Sequence, residues 1–360
     1  MPSPARIAAF DILRRVDAGG YASDLLLERT AALDSRDAGL ASEIVFGALR
    51  FRAQLDYLIE LYSSLRKLDA EVRTALRMGI YQLRYLERVP AHAAVTDAVE
   101  LVKRAHKRSA AGFVNAVLRR VDRDPVEWPS REVELSCPEW LLARWEAHYG
   151  AEAAVGIARA ALRPPEKFVR EGLAGPRVQD IGAQSIVPLL RLAPGQRYLD
   201  LCAAPGNKTA QALEAGVRAT ACDRRFDRLV QLKGMAPLVL LDGTRPLPFG
   251  RCFDRILVDA PCSGSGTLAR NPEIKWRLRP ADLDDLPCRQ TALLANARAA
   301  LAPGGLLVYS TCSLEPEENQ GVVSGVPPEL VSEVMLRLPG RDAGDGFYAA
   351  VIKSEEPANG

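Results

Sequence analysis

Cysteine pairs of the kind that form disulfides or bind metals are missing from this sequence. Its 360 residues include seven cysteines, an odd number at wide and irregular spacing, without a C-x-x-C pair of the type that binds zinc. No run approaches the roughly 18 uninterrupted apolar residues of a membrane-spanning helix. The beginning, MPSPARIAAFDILRRVDAGG, lacks the apolar region and cleavage site of a signal peptide. These absences predict a cytoplasmic protein without a disulfide framework, a metal site or a membrane segment.

A strong excess of charge of one sign is also missing, since the net charge at pH 7 is only +2. The distribution is uneven, because residues 101–123, LVKRAHKRSAAGFVNAVLRRVDR, contain seven Lys or Arg and a single acidic residue, Asp122. A local basic face of this kind lets a protein of modest net charge hold a phosphate backbone. A solvated helix face explains the same charges equally well, so charge alone leaves both interpretations open.

Strand-like alternation is absent from residues 5 to about 123. Apolar residues recur there at three- and four-residue spacing, which predicts amphipathic helices with short connections, among them one run over residues 40–62. Thr96 and Asp97 are predicted to begin a helix, and Pro90 to end the segment before it. The region holds no cluster of His, Asp, Glu or Cys like an active site, which predicts binding as its role. Two further helices are predicted after a proline-marked linker, over CPEWLLARWEAHYGAEAAVGIARAAL.

From about Val178 the hydrophobic pattern of the sequence changes, because short apolar runs alternate with helical patterns. The runs RYLDL, RATACD, LVLLD, FDRILVDAP and LLVYSTC predict a mostly parallel sheet with helices on both faces. The final stretch, VSEVMLRLPGRDAGDGFYAAVIKS, predicts an antiparallel hairpin at the sheet edge. The expected class is therefore α/β for this part of the chain and all-α for the part before it.

Small and acidic residues follow four successive predicted strands. Ligands of open α/β sheets bind outside the carboxyl ends of the strands. The first strand runs into CAAPGNKT, where Gly206 can adopt a backbone conformation that a side chain would resist. The next strands end in Asp223, placed to accept hydrogen bonds from a ribose diol, and in Asp242 and Asp259. Any one such aspartate is more often a cap or turn residue, but their shared register predicts a nucleoside-containing cofactor.

Two cysteines lie where the fourth and fifth of these strands end. The fourth strand leads to Asp259 and Cys262, and the fifth leads to Cys312. If the strands are neighbours, both sulfurs reach the cofactor crevice. Most single cysteines are small buried apolar residues, and spacing alone does not choose which of the two thiols reacts.

The motifs LDLCAAPGNKT, DAPCSGSGT, NPEIKW and YSTCSLEPEEN resemble the signature motifs of the Sun/Fmu (RsmB-type) RNA cytosine-5 methyltransferases. The helical N-terminus resembles the NusB-like RNA-binding domain of the RsmB branch. The resemblance covers nearly the whole chain. It implies a NusB-like all-α domain at 1–127, a shortened helical linker at 128–177 and a catalytic domain at 178–360. The implied catalytic fold is the Rossmann-like α/β fold of class I S-adenosylmethionine (SAM)-dependent methyltransferases, with a mostly parallel seven-stranded sheet and an antiparallel C-terminal hairpin.

The same resemblance implies formation of 5-methylcytosine in RNA, with 16S ribosomal RNA as the expected substrate. A thiolate that adds to C6 of cytosine makes C5 able to attack the methyl sulfonium of SAM. Cys312 is the implied nucleophile, Cys262 assists release of the methylated RNA, Asp259 stabilises the adduct, and Lys208 neutralises or orients that carboxylate. The implied cofactor contacts are Cys202, Ala203, Ala204, Pro205, Gly206, Asn207, Lys208, Asp223, Asp242 and Asp259.

A base must leave its stack before a thiol can reach C6. Residues with charge or an aromatic face in ARNPEIKWRLRP are predicted to line a channel for it, and plain packing is the alternative for the tryptophan; they are Arg270, Asn271, Lys275, Trp276 and Arg277. Asn207 replaces the second glycine of the family's usual CAAPGGKT, and Asn tolerates left-handed backbone conformations better than most residues. The segments before Val178 and between Asp223 and Asp242 are shorter than the family pattern.

Two other functions remain open at this stage. One is an RNA-binding or ribosome-assembly protein whose methyltransferase fold no longer turns over, although the retained thiols and aspartates weigh against it. The other is the same chemistry on tRNA. An amino-group methyltransferase is disfavoured, because APCSG stands where such enzymes carry a Pro-Pro-aromatic motif. The expected partner is RNA, and the expected state is a monomer away from membranes.

Overall fold

The computed structural model describes residues 2–65, 67–172 and 175–355, so the last five residues of the predicted catalytic domain lie outside it. The chain divides into two compact units. The first contains Met1–Pro164 and Ala269–Arg277, and the second contains Pro165–Leu268 and Leu278–Gly360. The predicted three-part division, with boundaries at residues 127 and 177, stays a prediction.

Amphipathic helices build the first unit. Their apolar faces share one core, in which Phe10, Ile44, Leu76 and Val102 are almost completely buried. Each large apolar side chain buried in this way stabilises the fold by about 1.5–3 kcal/mol relative to exposure. The helices are α1 (Pro4–Asp17), α2 (Ala22–Thr30), α3 (Ser35–Arg50), α4 (Arg52–Ser63), α5 (Ala70–Tyr85), α6 (Ala91–Arg104), α7 (Ala111–Leu118), α8 (Arg131–Glu134), α9 (Glu139–Tyr149) and α10 (Ala151–Ala161).

Two predictions about helix boundaries are wrong. The run over residues 40–62 is divided at Phe51 into α3 and α4. Helix α6 begins at Ala91 directly after Pro90, whose missing N–H costs nothing before a first turn. Asp97 therefore lies inside α6, where it accepts hydrogen bonds from the backbone N of Ser3 and from Nη1 of Arg6, each at 3.1 Å. A buried ion pair, rather than a cap, explains this aspartate.

Six helices lie among the described residues of the second part of the chain, and all but α15 are short. The longest helix there, α15, carries three aspartates in its first turn. Within residues 2–65, 67–172 and 175–355, no helix has both the length and the apolar character needed to cross a membrane. The helices are α11 (Ile181–Gln184), α12 (Asn207–Leu213), α13 (Phe226–Leu229), α14 (Ile274–Arg277, in the first unit), α15 (Asp282–Ala300) and α16 (Gln320–Val323).

The predicted sheet is confirmed. Within the described residues, seven strands run in the order β5-β4-β3-β6-β7-β9-β8. Strands β3 to β7 pair in parallel, whereas β9 is antiparallel to both β7 and β8. A separate antiparallel pair, β1 with β2, was not predicted. The strands are β1 (Val169–Arg170), β2 (Arg177–Val178), β3 (Arg197–Asp200), β4 (Arg218–Asp223), β5 (Leu238–Leu240), β6 (Phe253–Asp259), β7 (Leu301–Thr311), β8 (Val331–Arg337) and β9 (Phe347–Lys353).

Both faces of the central strands are buried. Ile256 and Val258 of β6 pack into one apolar cluster, while Leu257 between them packs into another with Val308 of β7. This two-sided burial explains why the strands read as continuous apolar runs in the sequence. Because β3 to β7 are parallel, their carboxyl ends meet at one edge, and the residues that follow them form the candidate site.

Candidate active site

Two thiols meet at the carboxyl edge of the sheet. Strands β6 and β7 are neighbours, with Asp259 aligned to Ser310, so the loops that follow them start side by side. The sulfur atoms of Cys262 and Cys312 lie 3.4 Å apart and share a hydrogen bond. Both cysteines are half-buried, so neither is sealed in the core. The structure thus brings together the two thiols that the motifs placed at successive strand ends.

The surroundings of Cys262 favour its protonated form. The hydrogen bond with Cys312, burial, and the negative charge of Glu318 together raise the pKa of Cys262 well above its ordinary value. A thiol that keeps its proton is a poor nucleophile but can donate a hydrogen bond or a proton.

A lysine–aspartate pair lies at the same edge. Nζ of Lys208 donates a hydrogen bond to Oδ2 of Asp259 at 2.6 Å, and Oγ of Ser310 donates to Oδ1 at 2.9 Å. The ammonium also lies 5.3 Å from the ring centroid of Phe347, in a cation–π contact. Asp259 is therefore held from both oxygens by strand β7 and helix α12. Lys208 and Asp259 thus form the ion pair that was predicted from the sequence.

Lys208 keeps its positive charge although it is buried. Burial alone would lower its pKa, but the charge of Asp259 and the hydrogen bond to it outweigh burial, so the pKa lies above its ordinary value. The negative charge of a Cys312 thiolate acts in the same direction.

The loop after β3 has the backbone needed for close approach to a ligand. Gly206 adopts φ +103° at the start of α12, and a Cβ there would lie 2.8 Å from the side chain of Leu232. Asn207 is the first residue of α12, so the left-handed conformation expected at the family's glycine pair falls on Gly206 alone. The replacement of the second glycine by Asn207 therefore needs no strained backbone. From the sequence alone, this replacement was explained instead by the tolerance of asparagine for left-handed conformations.

Two aspartates lie at the carboxyl ends of β4 and β5, the next two strands on one side of this loop. Oδ2 of Asp223, at the end of β4, accepts a hydrogen bond from the backbone N of Ala204 at 3.3 Å. Asp242, after β5, is exposed, and hydrogen bonds from the side chain and backbone of Thr244 hold its pKa below the ordinary value. Both carboxylates retain unused lone pairs at the edge where the predicted cofactor would bind. Such hydrogen-bond acceptors suit the hydroxyl groups of a ribose and the amino group of an adenine, both of which SAM contains.

Asp200, the last residue of β3, is a buried acid directly behind the loop. Burial raises its pKa to about 7, and the nearby charge of Asp259 acts in the same direction. Oγ1 of Thr209 donates a hydrogen bond to its Oδ2 at 2.6 Å, which partly opposes the rise. Because the folded-state pKa is raised, the folded protein binds a proton that the unfolded chain releases near pH 4.

We expect this proton to make stability depend on pH. The contribution of Asp200 is fully present below the unfolded pKa and is lost as pH rises through about 7. The free energy of unfolding should therefore fall by about 2 kcal/mol between about pH 5 and pH 7 relative to Asp200→Asn. Urea unfolding of both proteins across this range measures the difference. Asp254→Asn is the matched control, because Asp254 has its pKa lowered by Arg197 and stays ionised throughout; an Asp200→Asn curve parallel to wild type would contradict the prediction.

The NPEIKW motif lies in residues 269–277, which belong to the first unit. Lys275 is 1% exposed, and its Nζ donates a hydrogen bond to the carbonyl oxygen of Arg50 at 2.9 Å. Nε1 of Trp276 donates to the carbonyl oxygen of Leu49 at 2.7 Å. Both acceptors lie in the last turn of α3, where carbonyl groups have no partner within the helix. The prediction of Lys275 as a channel residue is wrong, because its side chain is buried. Trp276 is half-buried, and its place in a channel stays a prediction.

The rest of the motif makes similar contacts with helix ends. Oε1 of Glu273 accepts a hydrogen bond from the backbone N of Ala22, the first residue of α2, at 3.0 Å. Nη1 of Arg277 donates to the carbonyl oxygen of Gly20 at 3.1 Å. The motif thus supplies caps for α2 and α3, which the order of residues along the chain does not reveal.

Trp276→Phe should destabilise the protein by about 1–3 kcal/mol, because it leaves a buried carbonyl at the end of α3 without a donor. Chemical denaturation followed by circular dichroism measures this loss. Trp140→Phe is the control, since Trp140 is half-buried and the described residues provide its indole N–H with no hydrogen-bond partner. Equal effects of the two substitutions would show that lost ring area, rather than the cap, is responsible.

Sequence reasoning missed several supporting residues. Ser310 and Phe347 hold Asp259 and Lys208, yet no motif assigns them a role. Glu318, part of the acidic run after Cys312, is fully buried against the thiol loops. The position of that run directly behind a cysteine was its one signal in the sequence.

Comparison with known proteins identifies the family of both parts of the chain. The model of the family described as 16S rRNA methyltransferase RsmB/F matches residues 187–328, and the NusB family model matches residues 3–123. A ribosomal RNA small subunit methyltransferase B from Cronobacter sakazakii is 32% identical over 421 aligned positions, covering 96% of this chain and 98% of the relative. One from Pectobacterium carotovorum is also 32% identical, covering 97% and 98%. The predicted resemblance is confirmed for both parts of the chain.

Solved structures confirm the fold. The crystal structure of a protein called PH0851 superimposes with a TM-score of 0.79 at 19% identity, covering 99% of each chain. A methyltransferase homologue from Pyrococcus horikoshii gives a TM-score of 0.51 at 22% identity, covering 62% of this chain and 97% of that one. At these identities the likeness concerns the architecture alone.

Proposed function

The chain belongs to the RsmB/F family of ribosomal RNA methyltransferases, and from this premise we propose that it forms 5-methylcytosine in RNA with SAM as the methyl donor. The observation that carries the proposal is the meeting of two thiols, 3.4 Å apart, beside a lysine–aspartate pair at the carboxyl edge of the sheet. An amino-group methyltransferase needs no nucleophilic sulfur, whereas addition to C6 of cytosine does.

Cys312 is the proposed nucleophile. Its sulfur is close enough to Lys208 for the two charges to interact, whereas the hydrogen bond with Cys312 and burial raise the pKa of Cys262 and keep that thiol protonated. Attack of the thiolate on C6 of cytosine forms a carbon–sulfur bond and moves electron density to C5. Asp259, fixed by Lys208 and Ser310, is proposed to bind the N3 and amino edge of the ring as charge develops there.

Cys262 is proposed to assist release of the product. After methyl transfer, water takes the proton from C5, the electrons of that carbon–hydrogen bond re-form the C5–C6 double bond, and the carbon–sulfur bond to Cys312 breaks. A protonated thiol 3.4 Å from that sulfur can donate to it as the carbon–sulfur bond breaks. The raised pKa of Cys262, caused first by its hydrogen bond with Cys312, supports this role.

The loop after β3 and the two flanking aspartates are proposed to hold the cofactor. When bound, SAM supplies an electrophilic methyl group. Gly206 allows the backbone to approach it, Asp223 is proposed to accept hydrogen bonds from the ribose, and Asp242 from the adenine amino group. The remaining proposed contacts come from the backbone and side chains of Cys202, Ala203, Ala204, Pro205, Asn207 and Lys208.

RNA is the proposed partner of the helical unit. The basic stretch over residues 101–123 includes Arg104, Arg108 and Arg119, which are exposed and form no ion pair with any other described residue. Free guanidinium groups of this kind are suited to phosphates. Small-subunit ribosomal RNA is the proposed substrate because the relatives with this name cover the whole helical part as well as the sheet. The cytoplasm is the proposed compartment, and a monomer the proposed state.

Incubation of the protein with SAM and unmodified 16S ribosomal RNA, followed by bisulfite sequencing, tests the proposal. We expect one cytosine to resist conversion. Transfer RNA incubated in parallel separates the two substrates. If neither RNA gains a methyl group although the protein binds RNA, the alternative of a binding protein with an inactive fold replaces this proposal.

A further inference from the structure

A carboxylate lies buried between the two thiol loops. Glu318 belongs to the turn Pro316–Glu318 that follows Cys312, and none of its surface is exposed. Its Oε1 accepts a hydrogen bond from Oγ of Ser313 at 2.6 Å. Its Oε2 accepts from the backbone N of Ser263 and from Nε2 of Gln290, each at 2.8 Å. Among the described residues its carboxyl group only accepts hydrogen bonds, as an ionised carboxylate does.

These contacts join three separate segments. Ser263 follows Cys262 directly, and Ser313 follows Cys312 directly. Gln290 lies on α15 and also donates to the carbonyl oxygen of Pro261 at 2.9 Å. The hydroxyl groups of Ser263 and Ser313 add a hydrogen bond of 3.0 Å between the two loops. The side chain of Glu318 thus connects Ser263, Ser313 and helix α15 to one another.

A buried charge is an expensive way to join two loops. Isolating a carboxylate from water costs several kcal/mol unless hydrogen bonds compensate, and well-packed apolar groups often stabilise a fold as well. Charge-assisted hydrogen bonds are, however, shorter and more directional than apolar contacts. Such hydrogen bonds suit a site in which the distance between two loops must be fixed closely, even where they add little to the stability of the fold.

The charge also distinguishes the two sulfurs. Glu318 contributes to the raised pKa of Cys262, after the hydrogen bond with Cys312 and burial. On the other side, Lys208 lies near Cys312. The two thiols therefore have neighbours of opposite charge, a carboxylate beside Cys262 and an ammonium beside Cys312.

We propose that Glu318 is a positioning residue, which holds Cys262 and Cys312 at reacting distance by bonding to the residue after each. Its effect on catalysis rests on the proposed function, whereas its effect on the distance between the sulfurs does not. A displacement of about 1 Å at a reacting centre can lower a rate about a hundredfold.

Cross-linking of the thiols tests the distance without any enzyme assay. Diamide, a diazene, takes two electrons and two protons from the pair and becomes a hydrazine while the disulfide forms. Wild type should cross-link Cys262 to Cys312 rapidly, and Glu318→Gln should do so at least about tenfold more slowly, because the amide presents N–H groups where the carboxylate accepted them. Glu329→Gln, which removes an exposed charge, is the matched control and should behave as wild type.

Kinetics with SAM and RNA form the second readout. Glu318→Gln should lower kcat at least about tenfold while KM for RNA stays within about twofold, because the residue touches no substrate. If Glu318→Gln forms the Cys262–Cys312 disulfide as fast as wild type does, the proposal is overturned, whatever the methylation activity of the variant. If wild type itself does not methylate RNA, the proposed function fails, and the cross-linking rates still decide the positioning role.

A second variant covers loss of folding. If thermal unfolding shows that Glu318→Gln is not folded, Ser313→Ala replaces it, because it removes one bond to the carboxylate and leaves the buried charge with its other donors. We expect Ser313→Ala to slow cross-linking about twofold or more, the equivalent of one lost hydrogen bond at its weakest. An unchanged rate in a folded Ser313→Ala protein overturns the proposal.

Discussion

Cys312→Ser is expected to lower the rate of methyl transfer by at least about 10⁴-fold, because a serine hydroxyl stays protonated where a thiolate is needed for attack on C6. The substitution removes the reacting atom and changes the volume of the side chain little. Single-turnover transfer of a tritiated methyl group from SAM to ribosomal RNA measures the rate. Cys288→Ser, at an exposed thiol of α15, is the control and should keep wild-type activity.

Cys262→Ala should allow the covalent intermediate to form but should slow its breakdown. The nucleophile remains, but the thiol that assists its departure is gone, so protein covalently joined to RNA should accumulate and survive denaturation in detergent. The double variant Cys262→Ala/Cys312→Ser should form no such adduct. If Cys312→Ser accumulates the adduct and Cys262→Ala does not, the roles of the two thiols are the reverse of those proposed.

Lys208→Met is expected to lower kcat by about 10²- to 10³-fold, the second largest effect. The ammonium 2.6 Å from Oδ2 of Asp259 would be lost, leaving that carboxylate without its cation and Cys312 without its positively charged neighbour. Methionine keeps the length of the buried stem against Phe347, so the change is mainly one of charge.

The pH profile separates this role from a loss of folding. With the ammonium gone, the rate of adduct formation in a Cys262→Ala background should depend on pH differently from the rate with Lys208 present. Lys233→Met, at an exposed lysine in the same unit, is the control. A Lys208→Met protein with an unchanged profile and more than about a tenth of wild-type kcat would remove Lys208 from the proposed site.

Local pattern was enough to predict most of the architecture. Helices of the first unit follow from apolar residues at three- and four-residue spacing, because each buries one face against its neighbours. The runs around Leu257 and Val308 follow from burial on both faces of a parallel sheet. The carboxyl ends of such strands share an edge, so the motif residues Lys208, Asp259 and Cys312 could be expected there without coordinates.

Long-range contacts lay beyond that reasoning. The NPEIKW motif sits between β6 and β7 in the chain, yet it caps α2 and α3, because orphan backbone groups at a helix end accept any well-placed partner regardless of its distance along the chain. Asp97 reads as a cap residue but pairs with Arg6, for which only the packing of α1 against α6 is responsible.

The sequence was therefore enough to predict the family and the sheet, and to place the loop after β3 and the two thiols at one edge, since these follow from periodicity and from contiguous motifs. Only the tertiary structure shows three other features. They are the distance between the two sulfurs, the unstrained backbone of Asn207, and the burial of the Glu318 carboxylate between the thiol loops. They depend on ångström-scale distances between segments, and hydrogen bonds and charges are sensitive to such distances in a way that sequence spacing does not record.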